Sequence, residues 1–161
     1  MRKILWICAL ALGATLLQSP SASAQVVLRT TLTGGEEAPT PVLTGAVGTA
    51  RVFVDPSGEL AVELKVFNLP TGTTAGHIHV GPKGLAGPVV IDFPIARGVT
   101  GDMTLVFRVN DGPAFHARPE IGINTWSDAI QAIVGGNAYA NVHTTANGGG
   151  EIRGQLAVVS E

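Results

Sequence analysis

The sequence predicts an all-β protein, an antiparallel β-sandwich of about eight short strands with one short helix. Three observations favour this class. Several segments alternate apolar and polar residues with period two, glycine and proline are frequent (21 and 10 of 161 residues), and charged residues make up only 14%. Alternation is typical of strands with one buried face, and abundant turn residues separate short strands rather than the long helices of a bundle.

The first 24 residues are predicted to be a secretory signal peptide. Arg2 and Lys3 precede an apolar run over residues 4–17, and Ala22-Ser-Ala24 fits the small-residue rule for cleavage. The apolar run is too short to span a bilayer comfortably. We therefore expect one mature domain, residues 25–161, exported to the periplasm or the extracellular medium and without a membrane span.

Removal of this segment changes the composition of the mature chain. Cys8 is the only cysteine, so the mature protein has no thiol for a disulfide, a nucleophile or a zinc–thiolate site. Loss of Arg2 and Lys3 leaves 8 basic and 12 acidic residues, a net charge of −4. A mildly acidic chain without charge clusters gives no case for binding nucleic acid or an anionic membrane.

The strands are predicted in order from the period-two pattern. The 47–67 segment is predicted to be a hairpin, because Leu60, Val62 and Leu64 share one face and Asp55-Pro-Ser-Gly58 has the residues of a tight turn. The other predicted strands are 25–33, 75–80, 88–93, 103–109, 137–144 and 151–159.

One short helix is predicted near 125–134. Trp126, Ile130 and Ile133 repeat at helical spacing, Thr125 with Asp128 forms a capping box, and Gly135-Gly136 ends the helix. Two further segments are predicted to be loops. Residues 36–41 are polar and interrupted by proline, so we expect them to be exposed, and residues 81–88 form a tight loop between strands.

Histidines are the main candidates for chemistry. His77 and His79 lie two apart in a predicted strand, which puts both imidazoles on one face about 6–7 Å apart. His143 lies on the polar face of another strand. If the two strands meet, three imidazoles could surround one ion such as Cu, Zn, Ni or Fe(II). Alternatively, these rings are solvated or hydrogen-bonded to loop backbone. His116 lies in an irregular stretch and is expected at the surface.

Glu151 and Arg153 also share one strand face. They are predicted either as a structural ion pair, with each other or with a neighbouring strand, or with Arg153 beside the histidines as a guide for anions. The sequence shows no nucleophile elbow and no carboxylate pair of glycosidase spacing, so no catalytic residue is predicted, and enzyme activity stays undecided.

Four motifs resemble the chordin-type CHRD domain in their order and spacing. They are Leu32-Thr-Gly-Gly-Glu-Glu-Ala-Pro39, Gly76-His-Ile-His-Val-Gly-Pro82, Asn137-Ala-Tyr-Ala-Asn-Val-His-Thr144 and Gly149-Gly-Glu-Ile-Arg-Gly-Gln-Leu156. The likeness spans about residues 28–158. The sequence departs from the family pattern at Gly76, where the family commonly has alanine, and at Asn147-Gly-Gly-Gly150, where the family commonly has Asn-Pro-Gly-Gly.

This resemblance implies an exported, immunoglobulin-like β-sandwich or Greek-key barrel without a settled biochemical activity. The family is distantly similar to copper/zinc superoxide dismutases. By this similarity, His77, His79 and His143 of the present sequence match the copper-ligand positions of those enzymes, and Arg153 roughly matches their anion-guiding arginine. The histidine-rich zinc loop and the disulfide of those enzymes are missing here.

Three functions therefore remain open. The first is a module that binds a metal, with copper favoured, through the three histidines. The second is a non-metal interaction or adhesion module in which the histidines, Glu151 and Arg153 form a structural polar network. The third is a dismutase-like redox enzyme. The partner, whether a protein or a surface, and the oligomeric state are not predicted.

Overall fold

The computed structural model describes residues 25–159, which form a curled antiparallel β-sheet with one α-helix. The predicted antiparallel sandwich with a short helix is confirmed. The predicted signal peptide, residues 1–24, lies outside the described residues. Within residues 25–159, no helix is long and apolar enough to cross a membrane.

The helix and strand bounds lie close to the predicted ones. The elements are β1 (Val26–Thr33), β2 (Val47–Val54), β3 (Leu60–Leu69), β4 (Thr73–Val80), β5 (Val89–Asp92), β6 (Gly101–Val109), α1 (Trp126–Val134), β7 (Ala138–Thr144), β8 (Ile152–Gln155) and β9 (Ala157–Val158). The predicted last strand, 151–159, is thus two strands. It divides at Leu156: β8 lies between β7 and β1 and pairs with both, whereas β9 pairs with β1 alone.

The strand order is β5-β4-β7-β8-β1-β2-β3-β6, with β9 beside β1, and every pairing is antiparallel. The two ends of the sheet approach each other, since the rings of Phe93, just after β5, and Phe107 on β6 lie 5.2 Å apart. The curled sheet encloses an aliphatic core. Its largest fully buried apolar side chains are Leu28, Leu32, Leu60, Leu64, Ile78, Ile91, Ile133, Ile152 and Leu156.

Local hydrogen bonds fix the predicted hairpin turn. One carboxylate oxygen of Asp55 accepts from the backbone N–H groups of Ser57 (2.8 Å) and Glu59 (3.0 Å). Gly58 takes the positive φ of 85° that glycine tolerates without strain. The Trp126 indole donates to the Gly58 carbonyl at 2.8 Å, so the start of α1 is tied to this turn.

The predicted capping box of α1 is present. The Thr125 hydroxyl accepts from the Asp128 backbone N–H at 3.2 Å, and the Asp128 carboxylate accepts from the Thr125 N–H at 2.8 Å. Gly136 follows the helix with a φ of 76°. These reciprocal bonds satisfy N–H groups that have no partner inside the helix.

The outer face of β4, β7 and β8 is covered rather than solvated. Every residue of β7 is buried, although its side chains alternate between the core and this polar face. Three connections lie over the face: residues 34–46, 81–88 and 145–151. The polar side chains of this face are therefore buried, and each needs a partner.

Candidate metal centre

The pairing of β4 with β7 brings three histidines together. Ala75 is the register partner of His143, and His79 is the partner of Tyr139. Because alternate residues share a face, His77, His79 and His143 point to the same side of the sheet. One ring nitrogen from each lies within 4.8 Å of the other two. The structure thus brings together the three histidines that the sequence predicted as ligands.

Two of the three ring nitrogens are in very close contact. Nδ1 of His77 lies 3.0 Å from Nε2 of His143. The His79 ring centroid is 5.4 Å from that of His77 and 6.0 Å from that of His143. His79 and His143 are each only 8% exposed, so the cluster opens to solvent mainly at His77. The three-histidine cluster is therefore largely buried rather than solvated.

In each ring, the nitrogen that points away from the centre of the cluster faces an oxygen atom. His79 Nδ1 is 2.9 Å from the Gly87 carbonyl oxygen, and His143 Nδ1 is 3.0 Å from the Gly148 carbonyl oxygen. His77 Nε2 is 3.6 Å from a carboxylate oxygen of Asp92. Carbonyl oxygens can only accept, so His79 and His143 carry their protons on Nδ1. Such outer partners fix the tautomer and orientation of histidines that bind metals.

These tautomers leave one inner nitrogen unsatisfied. Nε2 of His79 is buried and has no hydrogen-bond partner among the described residues. His143 Nε2 can accept from His77 Nδ1 at 3.0 Å, whereas Asp92 lies beyond hydrogen-bond distance of His77 at 3.6 Å. A buried polar atom without a partner costs about 1–3 kcal/mol. A cation held by the three rings would remove the cost at His79.

The surroundings keep the histidines neutral. Burial, with smaller contributions from His143 and His116 that exceed the opposing effect of Asp92, lowers the pKa of His77 to about 4. Burial also lowers the pKa of His79 to about 4, against the opposing effect of its Gly87 bond. The pKa of His143 is lowered by burial as well. Neutral imidazole is the form that binds a metal, so the ligands need no deprotonation at neutral pH.

Comparison with known proteins gives one family. The model of the CHRD domain matches residues 28–156, which is most of the chain. The chain belongs to the CHRD-domain family. The resemblance found in the sequence is thereby confirmed. No curated protein and no solved structure matches, so the similarity to copper/zinc superoxide dismutases stays a prediction.

Glu151 of this CHRD domain is fully buried in a complete hydrogen-bond network. Its carboxylate accepts from the hydroxyl of Thr144 at 2.7 Å, from the Asn147 amide at 2.5 Å and from the hydroxyl of Thr44. Burial raises its pKa, but the bonds from Asn147, Thr44 and Thr144 more than offset this, and the pKa of Glu151 lies below its usual value. Glu151 thus joins residues 44 and 147 to β7.

Arg153 is buried in a different network. Its guanidinium donates to the carbonyl oxygens of Leu85 (2.8 Å) and Pro82 (3.3 Å) and lies 3.4 Å from the centre of the Tyr139 ring. No salt bridge joins Arg153 to Glu151 within residues 25–159. Glu151 and Arg153 therefore do not form the ion pair with each other that the sequence allowed, because both side chains are buried and face different partners.

Tyr139 separates Arg153 from the histidines. The His79 ring stacks on the Tyr139 ring at 4.7 Å and 7°, and β7, which carries Tyr139, lies between β4 and β8 in the sheet. The guanidinium is 2% exposed and already holds two carbonyls. Its position therefore supports a role in fixing loop 81–88, and the anion-guiding role stays a prediction.

Glu37 is a member of the polar face that the sequence did not predict. Residues 36–41 were expected to be exposed, but Glu37 is only 7% exposed, and it accepts from the Asn141 amide at 2.8 Å. Burial raises its pKa to about 7, although Arg153 and Asn141 act in the opposite direction. The available signal was Thr-Gly-Gly-Glu-Glu, in which glycines allow the chain to turn the acid inward.

His116 lies outside the three-histidine cluster and is partly exposed, as expected. Its Nε2 is 2.8 Å from a carboxylate oxygen of Asp92, the same carboxylate that faces His77. The side chain remains 37% exposed. Asp92 and this fourth histidine thus form a solvent-facing pair beside the cluster.

Proposed function

We propose that the domain binds one metal ion through His77, His79 and His143, with copper as the favoured ion. Two observations carry this proposal: one ring nitrogen from each of the three histidines lies within 4.8 Å of the other two, and the buried His79 Nε2 has no hydrogen-bond partner among the described residues. Native structures rarely leave a buried ring nitrogen unsatisfied unless a ligand, ion or water completes it.

The donor set supports copper over other ions. Three neutral imidazoles without a thiolate suit Cu, Zn or Ni, and affinity for such nitrogen donors peaks at Cu(II). Nearly complete burial of two rings excludes competing water and keeps the ligands deprotonated. A site of this kind would serve a copper-binding or copper-carrying role outside the cytoplasm.

Calorimetric titration with Cu(II) tests the proposal. Residues 25–161 without a histidine tag are compared with the double variant His77→Ala/His79→Ala and with His116→Ala as a matched control outside the cluster. We expect one site in the wild type and in His116→Ala, and at least about a hundredfold weaker binding in the double variant. Equal binding of Cu(II) in all three proteins, or no binding in the wild type, would contradict the proposed metal site.

A second candidate is a non-metal interaction module. The observation that favours it is that the buried network fixes loops which carry exposed leucines. Leu43, next to the Glu151-bonded Thr44, is fully exposed, and Leu85, whose carbonyl binds Arg153, is 61% exposed. If this is the function, the wild type binds no copper and its melting temperature does not respond to a chelator.

We also propose export through residues 1–24, supported by the charged start, the apolar run and the Ala22-Ser-Ala24 site. The test is fractionation of cells that express the full chain, followed by N-terminal sequencing. The expected product begins at Gln25 outside the cytoplasm. A product that retains Met1 in the cytoplasm would contradict export.

A further inference from the structure

The outer face of β1, β2 and β3 gathers cations that are distant in the sequence. Arg29 is the register partner of Arg51, and in the next outward row Thr49 lies between Thr31 and Lys65. Cross-strand partners are about 4.5–5.5 Å apart at Cβ, and successive rows on one face are about 6–7 Å apart. Three cations and the Thr31 hydroxyl therefore surround Thr49 in a chain whose net charge is −2.

The charges of this face are only partly compensated. Glu63 bonds to Arg51 at 3.2 Å, whereas Arg29 and Lys65 have no salt bridge within residues 25–159. Like charges directly opposite each other on adjacent strands are destabilising. The Arg51 guanidinium also lies 4.9 Å from the centre of the Phe53 ring. Arg29 and Lys65 are therefore the cations of this face that no carboxylate compensates within the described residues.

A shallow depression of about 440 Å³ lies at the same place. Its lining includes Arg29, Thr31, Thr49 and Arg51. Guanidinium groups match tetrahedral oxyanions with paired N–H donors, lysine adds a point charge, and threonine hydroxyls donate further hydrogen bonds. An anion here would offset the Arg29–Arg51 repulsion and engage donors that the protein itself leaves open.

We propose that this depression is a binding site for a tetrahedral oxyanion, namely phosphate or sulfate, either free or carried on a polymer. Arg29 and Arg51 line the depression and supply the charge, Lys65 adds to it from the position paired with Thr49, and Thr31 and Thr49 supply hydroxyl donors. Because these contacts are exposed and screened by salt, a single ion binds in the millimolar range, and a chain of linked phosphates binds more tightly through repeated contacts.

Titration by nuclear magnetic resonance at constant ionic strength tests this site. Inorganic phosphate, inorganic sulfate and polyphosphate are added to the wild type, to Arg29→Gln and to Arg97→Gln, which removes one charge from an exposed arginine elsewhere. We expect saturable shifts of the Thr31 and Thr49 amide signals in the wild type. Arg29→Gln should raise Kd at least about fivefold, and Arg97→Gln should change it less than about twofold.

The outcomes separate the possible sources of the anion. Tighter binding of polyphosphate per phosphate indicates a polymer-borne ligand, and equal binding indicates a free ion; both support the site. Shifts that grow linearly without saturation, or an equal loss of affinity in Arg29→Gln and Arg97→Gln, would overturn the proposal, because they would show a general effect of ionic charge.

Discussion

Two buried polar clusters lie side by side on the outer face of β4, β7 and β8, and they differ in completeness. The Glu151 carboxylate accepts from three side-chain donors. The histidine cluster places two ring nitrogens 3.0 Å apart and leaves His79 Nε2 without a hydrogen-bond partner among the described residues. Burial of a polar cluster therefore does not by itself show whether the cluster stabilises the fold or binds a ligand. A satisfied cluster stabilises the fold, whereas an unsatisfied one retains a cost that a ligand can remove.

The largest expected effect comes from breaking the complete cluster. Glu151→Ala leaves the Thr44, Thr144 and Asn147 donors without their charged acceptor, and such bonds contribute about 1.5–3 kcal/mol each. Because the bonds share one acceptor, we expect a total loss of about 4 kcal/mol in the free energy of unfolding. Urea denaturation measures this loss. A change below about 1 kcal/mol would show that the network contributes little.

The second largest loss of stability is expected from substitution of Gly87, which lies next to the histidine cluster. A Cβ built at Gly87 would lie only 1.9 Å from the Val80 carbonyl oxygen, whereas one at Gly148 meets nothing within 4 Å. Gly87→Ala should therefore cost about 3 kcal/mol through overpacking and weaken copper binding by displacing the carbonyl that orients His79. Gly148→Ala, the matched control, should stay near the wild type. Thermal melting and Cu(II) titration of both variants check this.

Glu37 gives a smaller effect that depends on pH. Its folded-state pKa of about 7 exceeds the usual 4.5, so the folded protein holds this proton more tightly than the unfolded chain does. The contribution to stability is present below pH 4.5 and is lost as pH rises through about 7. Relative to Glu37→Gln, the wild type should lose about 2 kcal/mol across this window, after allowance for solvent screening. Denaturation curves at both ends of the window measure it; a constant difference would contradict the raised pKa.

The smallest expected effect on stability comes from the incomplete cluster. His79→Leu removes the bond to Gly87, worth about 1 kcal/mol, but also removes the buried Nε2, whose burial costs a similar amount. The metal-free variant should therefore match the wild type within about 1 kcal/mol in urea denaturation. A decrease of more than about 3 kcal/mol in the free energy of unfolding would show that His79, like Glu151, mainly stabilises the fold.

Much of the fold was predictable because its signals are local. Period-two alternation located the strands, Thr125 with Asp128 marked the start of α1, and Asp55 with Gly58 marked the hairpin turn. The three histidines were also predictable, since strand alternation alone decides which face they share. Only the meeting of β4 with β7 had to be assumed.

The features that could not be predicted from the sequence depend on contacts between segments that are distant along the chain. Glu37 is buried because residues 34–46 fold over β7, and Arg153 is held by carbonyls of loop 81–88. Similarly, Arg29, Arg51 and Lys65 look unclustered along the sequence, and only the strand register makes them neighbours. Local patterns carry no information about which loop covers a face or which register aligns two charges.

The copper content of tag-free protein is the direct measure of metal binding by the three histidines. Wild type and His79→Leu are loaded with Cu(II), dialysed to remove weakly bound ions, and analysed for metal per chain. Because His79→Leu is expected to keep its stability, a difference reports on the site rather than on folding. We expect close to one copper ion per wild-type chain and almost none in the variant. The same copper content in both proteins would contradict this expectation.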